Sequence, residues 1–214
     1  MLQTMKAAIF DMDGTLLDSM SCWRKLNAQF IRSKGITPTP QQEEAMYSMS
    51  GTMVISYFKE QFGIESDFDT LCREACRLME PIYRAGVALK PGAGAYLKRL
   101  RAKGIRCVVA TATPARLAMI ALNRANLVTD LDHIFTVDMM GREKSDPAFF
   151  DDLSAQIGVP KQACTMFEDS LYAMLGARKA GLGVVGITDS TNVHDRARIR
   201  EACDVLIDSF DELA

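Results

Sequence analysis

The apolar positions of this chain follow two patterns, which meet near residue 88. From Leu89 onward, short apolar runs alternate with stretches whose apolar residues recur every three or four positions. The short runs predict buried strands, and the periodic stretches predict amphipathic helices. A further apolar run near the N-terminus, 7–10, also predicts a strand. The later predicted strands are 105–110, 134–137, 163–167, 184–187 and 205–207. Strands that alternate with helices predict an α/β fold with a Rossmann-like parallel sheet, covered by helices on both faces.

The segment between the first predicted strand and residue 88 has helical periodicity only. Four helices are predicted, and glycine or proline residues separate them: 21–33, 41 to about 48, 52–62 and 68–85. Because strand 7–10 must join the later sheet, this segment is an insertion. We therefore predict an α/β catalytic core of residues 1–16 and 89–214 and an inserted α-helical cap domain of residues 17–88. An insertion at the ligand end of a sheet can close over a site as a lid.

Composition and charge exclude several classes of partner. The 214 residues are 48% hydrophobic and 24% charged, with a net charge of −2. This leaves no basic field for nucleic acid and no cationic face for a membrane. The longest apolar runs are too short to cross a bilayer, and the N-terminus does not resemble a signal peptide. We therefore expect a cytoplasmic protein that binds neither nucleic acid nor membranes.

The six cysteines favour a structural role in a reducing compartment. Cys72 and Cys76 are spaced to lie on one face of a helix. No nearby histidine completes a metal site around them, so a zinc centre is disfavoured.

The first predicted strand ends in two carboxylates. The apolar run 7–10 leads directly into Asp11 and Asp13, and Gly14 and Thr15 follow. Alternate residues of a strand face the same side, so the two carboxylates start on one side. Like charges this close repel each other unless a cation or a shared proton relieves them. The pattern therefore predicts a metal site at the carboxyl end of this strand.

Polar or small residues stand near the ends of three later predicted strands. Because the carboxyl ends of parallel strands form the ligand edge of such a sheet, we expect these residues to lie near Asp11. Thr113 and Pro114 are predicted to supply the N-cap and the first-turn proline of the next helix, whose amide groups would face an anion. The residues near the strand ends are Thr111 with Ala112, Lys144, and Glu168 with Asp169.

Taken in this order, the four stretches resemble the motifs of the haloacid dehalogenase superfamily. Most members of this superfamily are Mg2+-dependent phosphatases and phosphomutases. The layout resembles the branch of phosphoglycolate phosphatase and beta-phosphoglucomutase, whose members carry a helical cap after the first strand. The resemblance covers almost the whole chain, although the cap is matched by its layout and not by its residues. One departure is Ser145, since proline usually follows the motif lysine.

The resemblance implies a role for each motif residue. Asp11 would be the nucleophile that forms an aspartyl phosphate, and Asp13 the general acid and base. Thr111 and Ala112 would bind the substrate phosphate. Lys144 would neutralise its charge, with Arg142 as a competing candidate for that role.

The implied cofactor is Mg2+, which takes oxygen ligands. Asp11, Asp169 and the backbone carbonyl of Asp13 would bind it directly. Glu168 would act in the second shell or through a water molecule.

The resemblance implies a phosphatase, and an inserted cap that restricts access favours small phosphorylated metabolites as its substrates. Two alternatives stay open: a sugar phosphomutase of the beta-phosphoglucomutase type, and a catalytically silent binding protein of the same fold. Such mutases usually carry a histidine shortly after the first motif, and residues 18–24 contain none. The leaving group would be recognised by the cap, where the turn 49–52 and Trp23 are the candidates.

Overall fold

A computed structural model describes residues 2–46 and 49–213. Its centre is a six-stranded sheet in the order β3-β2-β1-β4-β5-β6, and every pair of neighbouring strands is parallel. The predicted α/β fold with a parallel sheet is confirmed. All six predicted strands are present, with ends that agree within one residue. The strands are β1 (Ala7–Phe10), β2 (Arg106–Thr111), β3 (His133–Thr136), β4 (Cys164–Glu168), β5 (Gly183–Ile187) and β6 (Val205–Ile207).

Ten α-helices occur in the part of the chain that the structure describes. Four of them, between β1 and residue 86, form the helical segment that the sequence predicts as the cap: α1 (Met20–Ser33), α2 (Pro40–Ala45), α3 (Gly51–Phe62) and α4 (Phe68–Ala85). The others accompany the sheet: α5 (Ala93–Ala102), α6 (Ala115–Arg124), α7 (Val137–Met140), α8 (Pro147–Ile157), α9 (Leu171–Ala180) and α10 (Arg196–Ala202). No helix of the described residues is long and apolar enough to cross a membrane.

Three apolar clusters hold these layers together. Alternate residues of β1 face opposite sides of the sheet, so that Ala8 and Phe10 belong to one cluster and Ala7 and Ile9 to another. The third cluster lies within the helical segment and includes the stacked rings of Phe30 and Phe58. The helical segment therefore has an apolar core of its own, separate from the two clusters that cover the sheet.

The helical segment joins the sheet through two linkers that lie side by side. Leu17 and Leu89 form an isolated β-bridge. The backbone N–H of Lys90 donates to the carbonyl of Leu16, and that of Asp18 donates to the carbonyl of Ala88. Both linkers leave and enter at the carboxyl end of β1, so the helices lie next to the ligand edge of the sheet.

Several predicted helix ends differ from the structure. The helix predicted over 41 to about 48 is α2, which ends at Ala45, while residues 47 and 48 lie outside the described part of the chain. The prediction for Thr113 and Pro114 was wrong. Pro114 is itself the N-cap of α6, and the Thr113 hydroxyl donates to Asp13 instead. The sequence analysis also missed the short helices α7 and α10, because neither has room for a full amphipathic repeat.

Candidate active site

The register of the sheet places Asp11 at the centre of the carboxyl edge. Phe10 of β1 is paired with Phe167 of β4, and the Asp11 N–H donates to the Phe167 carbonyl at 2.9 Å. The next residues of the two strands are therefore Asp11 on one side and Glu168 and Asp169 on the other. Asp11 lies more than 150 positions from Glu168 and Asp169 in the sequence. The three carboxylates meet at this point because parallel strands align their ends.

Lys144 lies between two of these carboxylates. Its Nζ donates to Asp11 Oδ1 at 2.6 Å, to Glu168 Oε2 at 2.8 Å and to the Ala110 carbonyl at 3.3 Å. The side chain is only 1% exposed. The competing candidate Arg142 instead pairs with acidic groups at the surface.

Gly176 allows helix α9 to lie against the segment that carries Lys144. A Cβ atom on Gly176 would lie 1.9 Å from the Lys144 carbonyl oxygen, which is far inside contact distance. Any side chain there would push the two segments apart, so the glycine is required for the position of the lysine.

The buried acidic cluster consists of Asp11, Glu168 and Asp169. One carboxylate oxygen from each lies within 4.8 Å of the others. Gly14 is packed against this cluster, since a Cβ atom there would lie 2.3 Å from Asp169 Oδ2. The Thr15 hydroxyl also donates to Asp169 Oδ1, at 3.2 Å. The turn that follows β1 is thereby held against the end of β4.

Burial and mutual repulsion change the protonation of this cluster. Burial, together with the charge of Glu168, raises the pKa of Asp11 from 3.8 to about 8. Burial and the neighbouring charges of Glu168 and Asp11 raise the pKa of Asp169 well above its usual range. Burial alone would lower the pKa of Lys144, but the charges of Asp11 and Glu168 outweigh it and hold that pKa well above 10.5.

The donor set fits a hard divalent cation. All of its ligand atoms are carboxylate oxygens, which Mg2+ prefers over nitrogen or sulfur ligands. Lys144 supplies one positive charge to the cluster, whereas three carboxylates in ionised form would carry three negative charges. The acidic cluster could therefore bind a metal ion that balances this charge.

These protonation states predict how stability depends on pH and metal. The folded chain holds Asp11 at a pKa of about 8, against 3.8 in the unfolded chain, so it binds more protons between those values. The contribution of Asp11 to the free energy of unfolding should therefore fall by several kcal/mol as pH rises from about 4 to about 8 in EDTA. Added Mg2+ should raise the unfolding temperature most at about pH 8, since only the folded chain presents the cluster.

Thermal melts at about pH 5 and about pH 8, each in EDTA and in Mg2+, measure this difference. Other carboxylates, such as Glu80, have lowered pKa values and act in the opposite direction, which is why the comparison with and without metal is needed. Equal stabilisation by Mg2+ at both pH values would contradict the prediction.

Asp13 accepts hydrogen bonds from three hydroxyl groups. Ser19 Oγ and the Tyr83 hydroxyl donate to Oδ1 at 2.5 and 2.6 Å, and Thr113 Oγ1 donates to Oδ2 at 2.7 Å. The Trp23 indole N–H donates in turn to the Tyr83 oxygen at 3.1 Å. Burial and the Asp13 charge raise the pKa of Tyr83, so the phenol keeps its proton.

The sequence analysis missed most of these contacts. Tyr83 lies in α4, 70 positions from Asp13, and nothing in the local sequence indicates that it reaches the site. Thr15, whose hydroxyl donates to Asp169, could have been assigned a role in the site from the sequence, because it directly follows the Asp11–Gly14 stretch.

A second loop, which the sequence analysis also missed, supports Asp169 from behind. Asn192 Nδ2 donates to the Asp169 carbonyl at 2.8 Å. The adjacent Asp189 is buried, and its carboxylate accepts from Lys90 Nζ at 2.6 Å and from the Thr191 hydroxyl at 2.8 Å. Lys90 belongs to the second linker, so one buried ion pair connects the linker that returns from the helical segment to the loop behind the acidic cluster.

The remaining predicted residues line one cavity with Asp11 and Asp13. Thr111 is the last residue of β2, and its hydroxyl oxygen accepts from the Thr113 N–H at 3.0 Å. Ala112 follows it. The cavity has a volume of about 660 Å3, and Trp23 and the turn 49–52 also line it. The cavity therefore joins the end of the sheet to the helical segment.

The family of the chain follows from its sequence. The family described as haloacid dehalogenase-like hydrolase matches residues 5–181, which is more than half of the chain. The chain belongs to the haloacid dehalogenase-like hydrolases, and the predicted resemblance is confirmed.

Curated relatives match over most of their length. The chain is 29% identical to validoxylamine A 7'-phosphate phosphatase of Streptomyces hygroscopicus subsp. limoneus, covering 97% of this chain and 95% of the relative. It is 24% identical to a phosphorylated carbohydrates phosphatase of Thermotoga maritima, with 88% of each chain covered. Both relatives are phosphatases, and the predicted enzyme class, phosphoric monoester hydrolase, is confirmed.

A solved structure agrees with the fold. The crystal structure of CbbY from Rhodobacter sphaeroides in complex with phosphate superposes with a TM-score of 0.84, covering 98% of this chain and 96% of that one. At 22% identity this likeness concerns the fold alone.

Proposed function

We propose that the chain is a Mg2+-dependent hydrolase of small phosphomonoester metabolites that works through an aspartyl phosphate on Asp11. The observation that carries the proposal is the contact of Lys144 with both Asp11 and Glu168 at the end of β1. This arrangement holds a fixed cation and further carboxylates against Asp11, and Asp11 itself lines a cavity large enough for a metabolite.

Asp11 would attack the phosphorus of the substrate. The bond between phosphorus and the leaving oxygen breaks, and Asp13 gives its proton to that oxygen, so that an alcohol leaves. Asp13 would then take a proton from water, which attacks the aspartyl phosphate and releases inorganic phosphate. Free Asp11 is restored, and Asp13 carries the proton for the next cycle. Both carboxylates line the cavity, as this sequence of steps requires.

The phosphoryl oxygens would be held by three groups. Thr111 and Ala112 lie at the end of β2, next to the N-terminus of α6, where the positive end of the helix dipole favours an anion. Lys144 would stabilise the negative charge that develops on the phosphoryl group and on Asp11.

Asp11, Asp169 and the backbone carbonyl of Asp13 would hold Mg2+, and Glu168 would contact the metal through a water molecule or hold one of its ligands in place. When bound, the metal would screen the phosphate charge and favour the ionised form of Asp11 at neutral pH. The hydrogen bonds of Glu168 to Lys144 and to two backbone N–H groups support an indirect role for this residue.

Residues 17–88 would act as a cap over the core formed by 1–16 and 89–214. The separate apolar cluster of the helical segment and the paired linkers support this division. The names of the curated relatives make phosphorylated carbohydrates the first substrate class to examine.

Phosphate release from a panel of phosphorylated carbohydrates and simple phosphomonoesters, in Mg2+ and in EDTA, tests the proposal. We expect release that requires Mg2+. Release that persists in EDTA would exclude a metal-dependent mechanism. Absence of release from every compound, with Mg2+ bound, would exclude the hydrolase and leave the silent binding protein or the phosphomutase.

A further inference from the structure

Tyr83 is a buried side chain of the helical segment that reaches Asp13 of the core. Only 1% of it is exposed, and its hydroxyl donates to Asp13 Oδ1 at 2.6 Å. Asp13 lines the cavity, whereas Tyr83 lies behind it and outside the lining. The Tyr83 hydroxyl is therefore placed to act on the reaction through Asp13 and not by contact with the substrate.

The direction of each hydrogen bond at the Tyr83 hydroxyl is fixed by the chemistry of its partners. An indole N–H can only donate, so Trp23 Nε1 donates to the Tyr83 oxygen, at 3.1 Å. An ionised carboxylate can only accept, so the Tyr83 proton points to Asp13. Trp23 thus holds the Tyr83 oxygen in place while the phenol donates to the carboxylate.

The helix that carries Tyr83 is attached to the core on both sides of this residue. Glu80, one turn earlier in α4, accepts two hydrogen bonds from the Arg116 guanidinium of α6, at 2.6 and 3.0 Å. Two positions after Tyr83, the Ala85 carbonyl accepts from Arg124 Nη2 at 3.5 Å. The Tyr83 ring also packs in the apolar cluster that covers one face of the sheet. The position of the Tyr83 hydroxyl is therefore set by how α4 is seated on the core.

The two oxygens of the Asp13 carboxylate differ in their hydrogen bonds. Each oxygen of an ionised carboxylate has two lone pairs that can accept. Both lone pairs of Oδ1 are occupied, by the hydroxyls of Tyr83 and Ser19. Among the described residues, Oδ2 accepts from the Thr113 hydroxyl alone. One lone pair of Oδ2 is thus left for a proton.

We propose that Tyr83 is a positioning residue for the general acid and base: it occupies Oδ1 of Asp13, so that the proton is given and taken at Oδ2. This inference rests on the proposed function, which assigns the two proton transfers to Asp13. In the first step, the proton on Oδ2 passes to the leaving oxygen as the bond from that oxygen to phosphorus breaks. In the second step, Oδ2 takes a proton from the water that attacks the aspartyl phosphate. Without the Tyr83 hydroxyl, Oδ1 has a free lone pair, and the proton is shared between an oxygen that is positioned for transfer and one that is not.

Tyr83→Phe removes the hydroxyl and keeps the ring, and two esters separate the positioning of a proton donor from a general defect. The alkoxide that leaves glycerol 1-phosphate needs a proton, whereas p-nitrophenolate leaves p-nitrophenyl phosphate without one. The ratio kcat/KM covers the reaction up to the departure of the leaving group. We expect Tyr83→Phe to lower kcat/KM by about 10-fold to 100-fold for glycerol 1-phosphate, and by less than about threefold for p-nitrophenyl phosphate. An equal loss for both esters, or a loss for neither, would overturn the inference and leave the proposed function intact.

Tyr57→Phe is the matched control, since it makes the same change in α3 at a residue outside the lining of this cavity. It should leave kcat/KM unchanged for both esters. The same selective loss in Tyr57→Phe would show that the effect does not come from the contact with Asp13, and would overturn the inference. Thermal melts show which variants are folded.

The indole resonance of Trp23 tests the hydrogen bonds without turnover. Trp23 is the only tryptophan of the chain, so its indole N–H gives one peak in a 1H–15N spectrum. Tyr83→Phe removes the acceptor of this N–H, and Asp13→Ala removes the acceptor that polarises the Tyr83 hydroxyl. Both variants should shift the peak, whereas Asp151→Ala at the surface should not.

The peak separates a failure of this inference from a failure of the proposed function. An unchanged peak in Tyr83→Phe, or in Asp13→Ala if Tyr83→Phe does not fold, would overturn the inference whether or not the chain is active. If the unaltered chain releases phosphate from neither ester and both variants shift the peak, the positioning of Asp13 by Tyr83 holds and the hydrolase is wrong.

Discussion

Asp11→Asn should reduce phosphate release by at least about 10⁴-fold, because it removes the attacking oxygen nucleophile of the proposed reaction. The amide is close in shape to a protonated carboxyl group. Since the pKa of Asp11 is about 8 in the metal-free chain, its side chain is largely protonated at neutral pH. The substitution should therefore leave the neutral-pH unfolding temperature in EDTA nearly unchanged, which distinguishes a chemical defect from a folding defect.

Steady-state phosphate release and a thermal melt in EDTA are the two measurements needed. Asp151→Asn is the matched control, since Asp151 is exposed and its ion pair among the described residues is with Lys161 at the surface. That variant should keep its activity. Substantial release by Asp11→Asn would show that another group, or water itself, attacks the phosphorus.

Lys144→Met should lower both activity and stability. The methionine fills much of the same space but leaves Asp11 and Glu168 without their shared cation. Removing one partner from a buried ion pair costs about 3–5 kcal/mol. The loss of charge stabilisation at the phosphoryl group should reduce kcat by roughly 10²–10³-fold.

The stability loss should depend on pH in a defined direction. At low pH, Asp11 takes up a proton and no longer needs the cation, so the loss should be smaller at about pH 6 than at about pH 9. Urea unfolding in EDTA at both pH values measures it.

Lys161→Met, at the exposed pair with Asp151, should change the free energy of unfolding by no more than about 0.5 kcal/mol. If Lys144→Met and Lys161→Met lowered the free energy of unfolding equally, the buried ion pairs of Lys144 would contribute no more to stability than an exposed pair, and the prediction would be wrong.

The sequence by itself determined the sheet and the motif residues at its edge. Parallel strands buried on both faces are nearly continuous apolar runs, so all six could be recognised locally. Asp11, Thr111 and Glu168 could be assigned to one edge because each lies at the carboxyl end of such a run. This inference needs only the rule that parallel strands align their ends.

Only the tertiary structure decided which side chains complete the surroundings of these residues. Tyr83 contacts Asp13 through the packing of α4, and Asn192 supports Asp169 through a loop without regular structure. Thr113 shows the same limit, since its local sequence predicts a helix cap and its hydroxyl is instead bonded to Asp13. A local pattern records which element a residue belongs to. The partner of its side chain depends on how distant elements pack, and the sequence around the residue carries no signal for that.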